Sequence, residues 1–286
     1  MKSSKKIHTT ILIFIAFSIA TILISMFFPW LSKVVFPNTE VGIYNKEFWY
    51  NFLINANATI LDFFVIGIVI YFLDQRRGKN ELTQELLRDL EDFAPHSTVE
   101  LNLKKLGIIK RLINLGVNKI DVQRICIKDI EIRNVEIIDS DLTGINLEKS
   151  RLKNCKFEKC NLRSLNLDGG KIINVIFKNC QIRNMKLIDG TYSALIFENV
   201  DLTNSKFVNS NLSGAIFKNC ELNNVSFEKC NLRNANFKTS RNIDLLALSK
   251  ADNLDYIHAD DVILEKLKNL RPDVKYRRLQ NQNGVI

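Results

Sequence analysis

The sequence predicts a mainly β fold: a stacked-repeat column of about six turns with helical caps, preceded by two transmembrane α-helices. Three observations carry that expectation. Apolar residues recur at every fifth position from Val122 to Phe237, two uncharged apolar runs stand near the N-terminus, and segments with helical apolar spacing flank the repeats on both sides. A helix buries one face at a period of about 3.6 residues and a strand at about 2, so neither alone explains a period of five.

The first apolar run, ILIFIAFSIATILISMFF (11–28), carries no charge. As a helix it spans roughly 27 Å, close to the thickness of a hydrocarbon core. A signal peptide shares its basic start at Lys2, Lys5 and Lys6, but the run is long for one and ISMFFPW offers no small-x-small cleavage site. The second run covers about Phe52 to Leu73 and is followed by Arg76, Arg77 and Lys79. Positive charge before the first span and after the second predicts a hairpin with both termini cytoplasmic. Trp30, Tyr44, Phe48, Trp49 and Tyr50 in the intervening loop, about 29–51, suit the outer headgroup belt.

Asp62 interrupts the second run, with Asn55 two helical turns before it on the same side. An ionised Asp at mid-span costs roughly 2.5–3.5 kcal/mol on insertion scales. Two readings stand open. Asp62 lies near the outer interface or bonds to the first helix, or Asp62 and Asn55 form an intramembrane polar site, either in a helix assembly or along a water-lined path.

A connector follows. Leu82, Leu86, Leu90 and Phe93 are spaced for an amphipathic helix ended by Pro95. Ser97-Thr98-Val99-Glu100 has the form of a capping box, Leu106, Ile109, Leu112 and Ile113 supply the next apolar face, and Gly116 is the stop.

Counting back by fives from Phe237 gives an unbroken apolar series to Val122, and two residues before each member stands a second, smaller series from Ile120 to Ala235. Neither contains a charged residue; at a background near 25% charged, that is roughly a one-in-a-million event. Fixed-period self-similarity marks a stacked repeat. Ser140-Asp141-Leu142-Thr143-Gly144, Cys160-Asn161-Leu162-Arg163-Ser164 and Val200-Asp201-Leu202-Thr203-Asn204 resemble the unit of the pentapeptide-repeat family. That resemblance implies a right-handed quadrilateral β-helix with four pentapeptides per turn, the central Leu or Phe and the small residue pointing inward.

If one turn takes twenty residues, positions twenty apart stack. Phe157, Phe177, Phe197, Phe217 and Phe237 form one structural ladder, and Leu142, Leu162, Ile182, Leu202 and Leu222 another without aromatics. A period of five does not require that segregation, so it supports the square independently. Cys155, Cys160, Cys180, Cys220 and Cys230 share the small inward phase and read as packing, since a buried thiol behaves as a small hydrophobe. Cys126 falls in an outward phase. Past Asn242, residues 245–272 resemble the family's closing segment, a short helix, an A-x-NL link and a final helix. The expected organisation is a hairpin over 1–79 with spans at about 11–28 and 52–73, a connector and N-terminal cap over 80–118, repeats over 119–240, a C-terminal cap over 241–272 and a loose basic tail over 273–286.

The 40 Lys or Arg against 31 Asp or Glu leave a formal charge of +9, which favours anionic partners. No P-loop, GxGxxG or HExxH motif is present, and no zinc-like Cys or His spacing, so the chain reads as non-catalytic, with no cofactor, metal or small-molecule substrate. The resemblance implies a binding or structural module. A DNA mimic, as in the branch that inhibits DNA gyrase, needs an acidic column; here residues 122–240 hold 18 Lys or Arg and 13 Asp or Glu. Direct nucleic-acid binding fits the sign of the charge but not its mixture. The leading expectation is a cytoplasmic protein-interaction scaffold anchored in a bacterial inner membrane. Its partners are the lipid bilayer and an unidentified cytoplasmic protein, with homo-oligomerisation left open. The alternative is a membrane-disrupting effector of a bacterial defence or toxin system, triggered through the column. Outward Asn179, Asn199 and Asn219, and Asn184, Asn204 and Asn224, either bond up the stack or face a partner.

Overall fold

The structure is a computed structural model that describes residues 2–34 and 43–276, with side chains from residue 12 onward. The chain divides into two compact units, Met1–Asn80 and Glu81–Ile286.

In the first unit, α1 (Lys2–Val34) pairs with the leading part of α2 (Lys46–Phe93). Phe28 meets Tyr50, Ser25 bonds Asn57 and Phe14 meets Phe63, so partner numbers fall on α1 as they rise on α2 and the pair is antiparallel. Both helices are long and apolar enough to cross a membrane, at Leu12–Val34 and within Lys46–Phe93. The helices run further than the sequence suggested. Trp30 lies in α1 and Phe48, Trp49 and Tyr50 lie in α2, so the expected loop over 29–51 is shorter; its residues 35–42 lie outside the described residues. The expected connector helix over 81–93 is the end of α2 and not a separate element. Asp74, Arg76 and Arg77 end the apolar run but not the helix, because helix hydrogen bonds need no apolar side chains and these residue types are tolerated within it.

In the second unit, Leu86 and Leu90 of α2 and Leu106, Ile109 and Leu112 of α3 (Val99–Asn114) are buried with the column core. Thr98 and not Ser97 caps α3, its hydroxyl accepting from the Leu101 N–H at 3.2 Å. Gly116 follows the helix at φ +76, a conformation that suits glycine.

The column is built from β1 (Glu131–Arg133), β2 (Glu136–Ile138), β3 (Arg151–Glu158), β4 (Lys171–Lys178), β5 (Lys186–Ile188), β6 (Thr191–Glu198), β7 (Lys206–Val208) and β8 (Ile216–Lys218). All pairs are parallel, in the orders β1-β3-β4-β6-β8 and β5-β7, with β2 also on β3. Leu152 sits over Ile172 and Phe157 over Phe177, the register that one twenty-residue turn demands. Regular pairing makes about four turns. The remainder of the six expected keeps the same register through single bridges, from Cys126↔Asn146 to Glu221↔Arg241.

Inward residues follow both five-residue series, and the Phe and Leu ladders are buried throughout. Rings of Phe157, Phe177, Phe197, Phe217 and Phe237 stack at 4.6–5.4 Å between centroids. Phe207 and Phe227 form a second stack on the opposite side and meet the first edge-on, as in the 88° contact of Phe227 with Phe237. Edge-to-face and offset contacts each add roughly 0.5–1.5 kcal/mol beyond area burial. At Tyr192 the interior needs extra room. A Cβ on Gly190 would lie 2.0 Å from the Tyr192 hydroxyl, which donates to the Leu167 carbonyl at 3.2 Å.

Past the repeats, α4 (Leu245–Ser249) leads to Ala251-Asp252-Asn253-Leu254, which adds a last partial turn through Asn231↔Asn253 and Asn236↔His258. Helix α5 (Asp261–Leu270) closes this end. Of the expected loose tail, residues 277–286 lie outside the described residues.

Candidate interaction surface

The chain bends by about a right angle at each corner of this column, and each corner has one residue with positive φ. Residues such as Asn134, Asn154, Asn174, Asn179, Asn199 and Asn219 occupy these places at φ 52–56. Asn adopts this left-handed conformation more readily than other non-glycine residues because its short polar side chain bonds locally. The repeats are therefore rich in Asn for a backbone reason. The side chains then ladder: Asn199 donates to Asn179 at 2.9 Å, Asn219 to Asn199 at 3.1 Å and Asn224 to Asn204 at 3.1 Å. Of the two uses open for these residues, the stack engages one donor and one acceptor site of Asn199 and leaves the second N–H and lone pair of its amide to face outward.

Beside the corner ladder lies a shallow polar groove of about 400 Å³, lined by Asn179, Gln181, Arg183, Asn199, Asp201, Asn219 and Glu221 among others. Arg183 bonds Asp201 across it at 2.6 Å. The neighbouring side carries the outward aliphatics Ile176, Ile196 and Ile216 beside charges of alternating sign at Glu158, Lys178, Glu198 and Lys218. Glu198 takes Lys218 at 2.9 Å and Lys178 at 3.8 Å. The hydrogen bond from Lys218 holds the Glu198 carboxyl below the usual carboxylate range. Lys156 bridges Glu158 and Glu136 and is held above the usual lysine range by those two bonds. These pairs are exposed, so they fix the pattern of the surface more than its stability.

The inward thiols donate to backbone carbonyls, Cys180 to Phe157 at 3.4 Å and Cys220 to Phe197 at 3.5 Å. Burial pushes Cys220 and Cys230 up to about 12. A hydrogen bond with Cys160, together with burial, holds Cys180 protonated. Such thiols are poor nucleophiles and poor ligands. Cys126 is half-buried. Among the described residues no group of three or more His, Cys, Asp or Glu is arranged to hold a metal ion.

Both ends of the column are closed by cations. Lys105 of α3 is fully buried and donates to the carbonyls of His96, at 2.5 Å, and Cys126. Burial lowers its pKa from the ordinary lysine value. Asn102, one turn earlier, donates to the Lys128 carbonyl at 2.9 Å. At the other end Arg271 donates to the carbonyls of Ser249 at 2.9 Å and Ala251 at 2.6 Å. Sequence reasoning missed Lys105 and Asn102; the one available signal was a lysine and an asparagine set among the apolar positions of α3.

In the first unit, Asp62 and Asn55 are both exposed. The polar contact to α1 is made instead by Asn57, whose amide donates to Ser25 Oγ at 2.6 Å.

The fold and surface define a parallel β-solenoid built to present ladders of side chains, with flanking helices. Residues 140–179 and 196–238 match the family described as Pentapeptide repeats, in eight copies. Similar solved structures include full-length QnrB1, a plasmid-mediated fluoroquinolone resistance protein, at 13% identity over 55% of this chain and 95% of that one, with a TM-score of 0.37. Rfr23 from the cyanobacterium Cyanothece 51142 is 12% identical over 46% of this chain and 97% of its own, with a TM-score of 0.24. HetL, involved in heterocyst differentiation regulation in the cyanobacterium Nostoc, is 16% identical over 47% and 68%, also with a TM-score of 0.24. No curated protein matches the chain in sequence.

Proposed function

We propose that this protein is a non-catalytic scaffold, anchored in a bacterial inner membrane by α1 and the apolar part of α2, whose repeat column offers its ladders to a cytoplasmic protein. One observation carries the anchoring: 11% of the apolar stretch of α1 and 0% of that of α2 is buried. A core helix of a soluble protein is mostly buried, and apolar surface of this extent exposed to water would drive association. Lysines before the first span and Arg76, Arg77 and Lys79 after the second support a hairpin with both termini cytoplasmic. The scaffold role is supported by the family and by the mixed charge of the column, which suits neither duplex mimicry nor a nucleic-acid groove.

The experiment is expression in bacteria at graded levels, with carbonate extraction of membranes, reporters fused at each terminus, and entry of a membrane-impermeant dye. Carbonate-resistant protein, cytoplasmic reporters and sealed cells are the expected result. Release by carbonate would overturn the anchor. Dye entry that requires the hairpin would replace the scaffold reading with that of a membrane effector.

A further inference from the structure

Asn55, Thr59 and Asp62 stand four and three residues apart on α2, and all three are exposed. Ile66 and Val69, each 51% exposed, continue the same four-three spacing. The side of α2 that faces α1 is different: Leu53, Ala56, Asn57 and Ile60 are half-buried there, and Asn57 holds Ser25. At about 100° per residue, the stripe from Asn55 to Val69 lies on the opposite side of the helix from Asn57.

We propose that this stripe is the seam through which the hairpin pairs with a second copy of this chain, one α2 parallel to the other within the bilayer. The inference rests on the reading of α1 and α2 as membrane spans. Lipid tails offer the stripe no hydrogen-bond partner, and a polar group left unpaired in hydrocarbon is costly. Asp62 lies about ten residues, or ~15 Å, from either end of the apolar run, beyond the reach of a short side chain to the headgroups. Among the described residues, helix α1 offers this side of α2 no hydroxyl, because it packs on the side that carries Asn57. Its Ser25 accepts from Asn57 on that opposite side, and Ser18 and Thr21 donate to the carbonyls of Phe14 and Phe17 on their own helix.

A second copy in the same membrane orientation brings like groups to like depth. The Asn55 amide has both donors and an acceptor and so pairs with its own counterpart. Within one helix the Thr59 hydroxyl donates to the Asn55 carbonyl at 2.8 Å; at the seam it turns to the Asp62 carboxylate of the other copy, one layer away. Alternating steps of four and three residues form the seam of a left-handed helix pair, and a polar residue within such a seam sets its register.

The test uses the full chain, labelled with a fluorophore at its C-terminus, in phosphatidylcholine–phosphatidylglycerol vesicles. Association is read by energy transfer over a series of lipid dilutions, with carbonate extraction of the same vesicles. The expected result is a reversible dimer that Asp62→Leu weakens at least tenfold, about 1.4 kcal/mol. Asp62→Asn, which keeps an acceptor and adds donors, stays within about threefold of the parent. Both variants remain carbonate-resistant. A carbonate-resistant parent that is monomeric at every dilution, or Asp62→Leu associating as the parent does, overturns the seam and leaves the anchor standing. Extraction of the parent by carbonate overturns both.

Discussion

The Lys105 ammonium donates to the Cys126 carbonyl at the N-terminal end of the column, in the place of a backbone N–H from a turn that is not there. Inside the column, Asn146 directs both its backbone groups toward the preceding turn, donating to the Ile125 carbonyl and accepting from the Ile127 N–H. Cys126 is its counterpart in the first turn. Its N–H donates to the Ala94 carbonyl at 2.8 Å, and its carbonyl takes Lys105. Asn102 does the same for Lys128. One carbonyl and two side chains thus supply hydrogen bonds that an open β edge would lack.

Lys105→Met keeps the volume of the side chain but leaves the His96 and Cys126 carbonyls without this donor. The expected loss is about 1–3 kcal/mol, measured by urea unfolding of the full chain. Unchanged stability would show that water replaces the ammonium.

Phe217 contacts four rings, stacking on Phe197 and Phe237 and meeting Phe207 and Phe227 edge-on. Phe217→Ala is expected to cost about 3–5 kcal/mol, and Phe217→Leu less, because the column already accepts Leu at other central positions. Thermal unfolding of both variants ranks them.

Gly190 leaves no space for a methyl group beneath Tyr192. Gly190→Ala is expected to destabilise the column by about 1–3 kcal/mol through overpacking. Adding Tyr192→Leu should recover much of that loss, which a double-mutant cycle reads as coupling.

Asn199 holds φ +53 and spans two ladder bonds. Asn199→Val forces a β-branched residue into the left-handed region and is expected to cost about 1–2 kcal/mol for the backbone alone. Asn199→Gly relieves the backbone and loses only the ladder bonds. Comparing the two variants by chemical denaturation separates corner from ladder.

Burial raises the folded-state pKa of Cys220 and Cys230 to about 12. An unfolded thiol titrates near 8.5, so the folded state binds more protons above that pH. Stability is therefore expected to hold below about pH 8 and to fall between about pH 8.5 and 12, by up to about 1.4 kcal/mol per pH unit for each thiol. Urea unfolding across this range checks the slope, which Cys220→Ala should reduce.

The column was legible in the sequence because each repeat commits two inward positions, and one wrong residue exposes a mismatch that every turn repeats. Its ends were less legible. Lys105 and Asn102 act on carbonyls more than twenty residues away, and no local pattern signals such a contact. The hairpin contact was illegible for a different reason. Asp62 drew attention by its charge, whereas Asn57, a milder residue, holds the first helix, because only geometry tells which polar residue of a helix faces its neighbour. The polar stretch after Leu73 resembled a helix end, yet α2 continues through it.

The twenty-residue register also makes length a quantised property of this fold. Removing residues 161–180 would return every remaining side chain to an equivalent side of the square, whereas removing four residues would turn the rest of the column through the wrong corners. Near the C-terminus, α4 absorbs two extra residues before pairing resumes at Asn231↔Asn253, so this excursion is where odd lengths are tolerated. Such a chain can grow or shrink by whole storeys, and its height becomes a variable that changes in fixed steps without redesign of the walls.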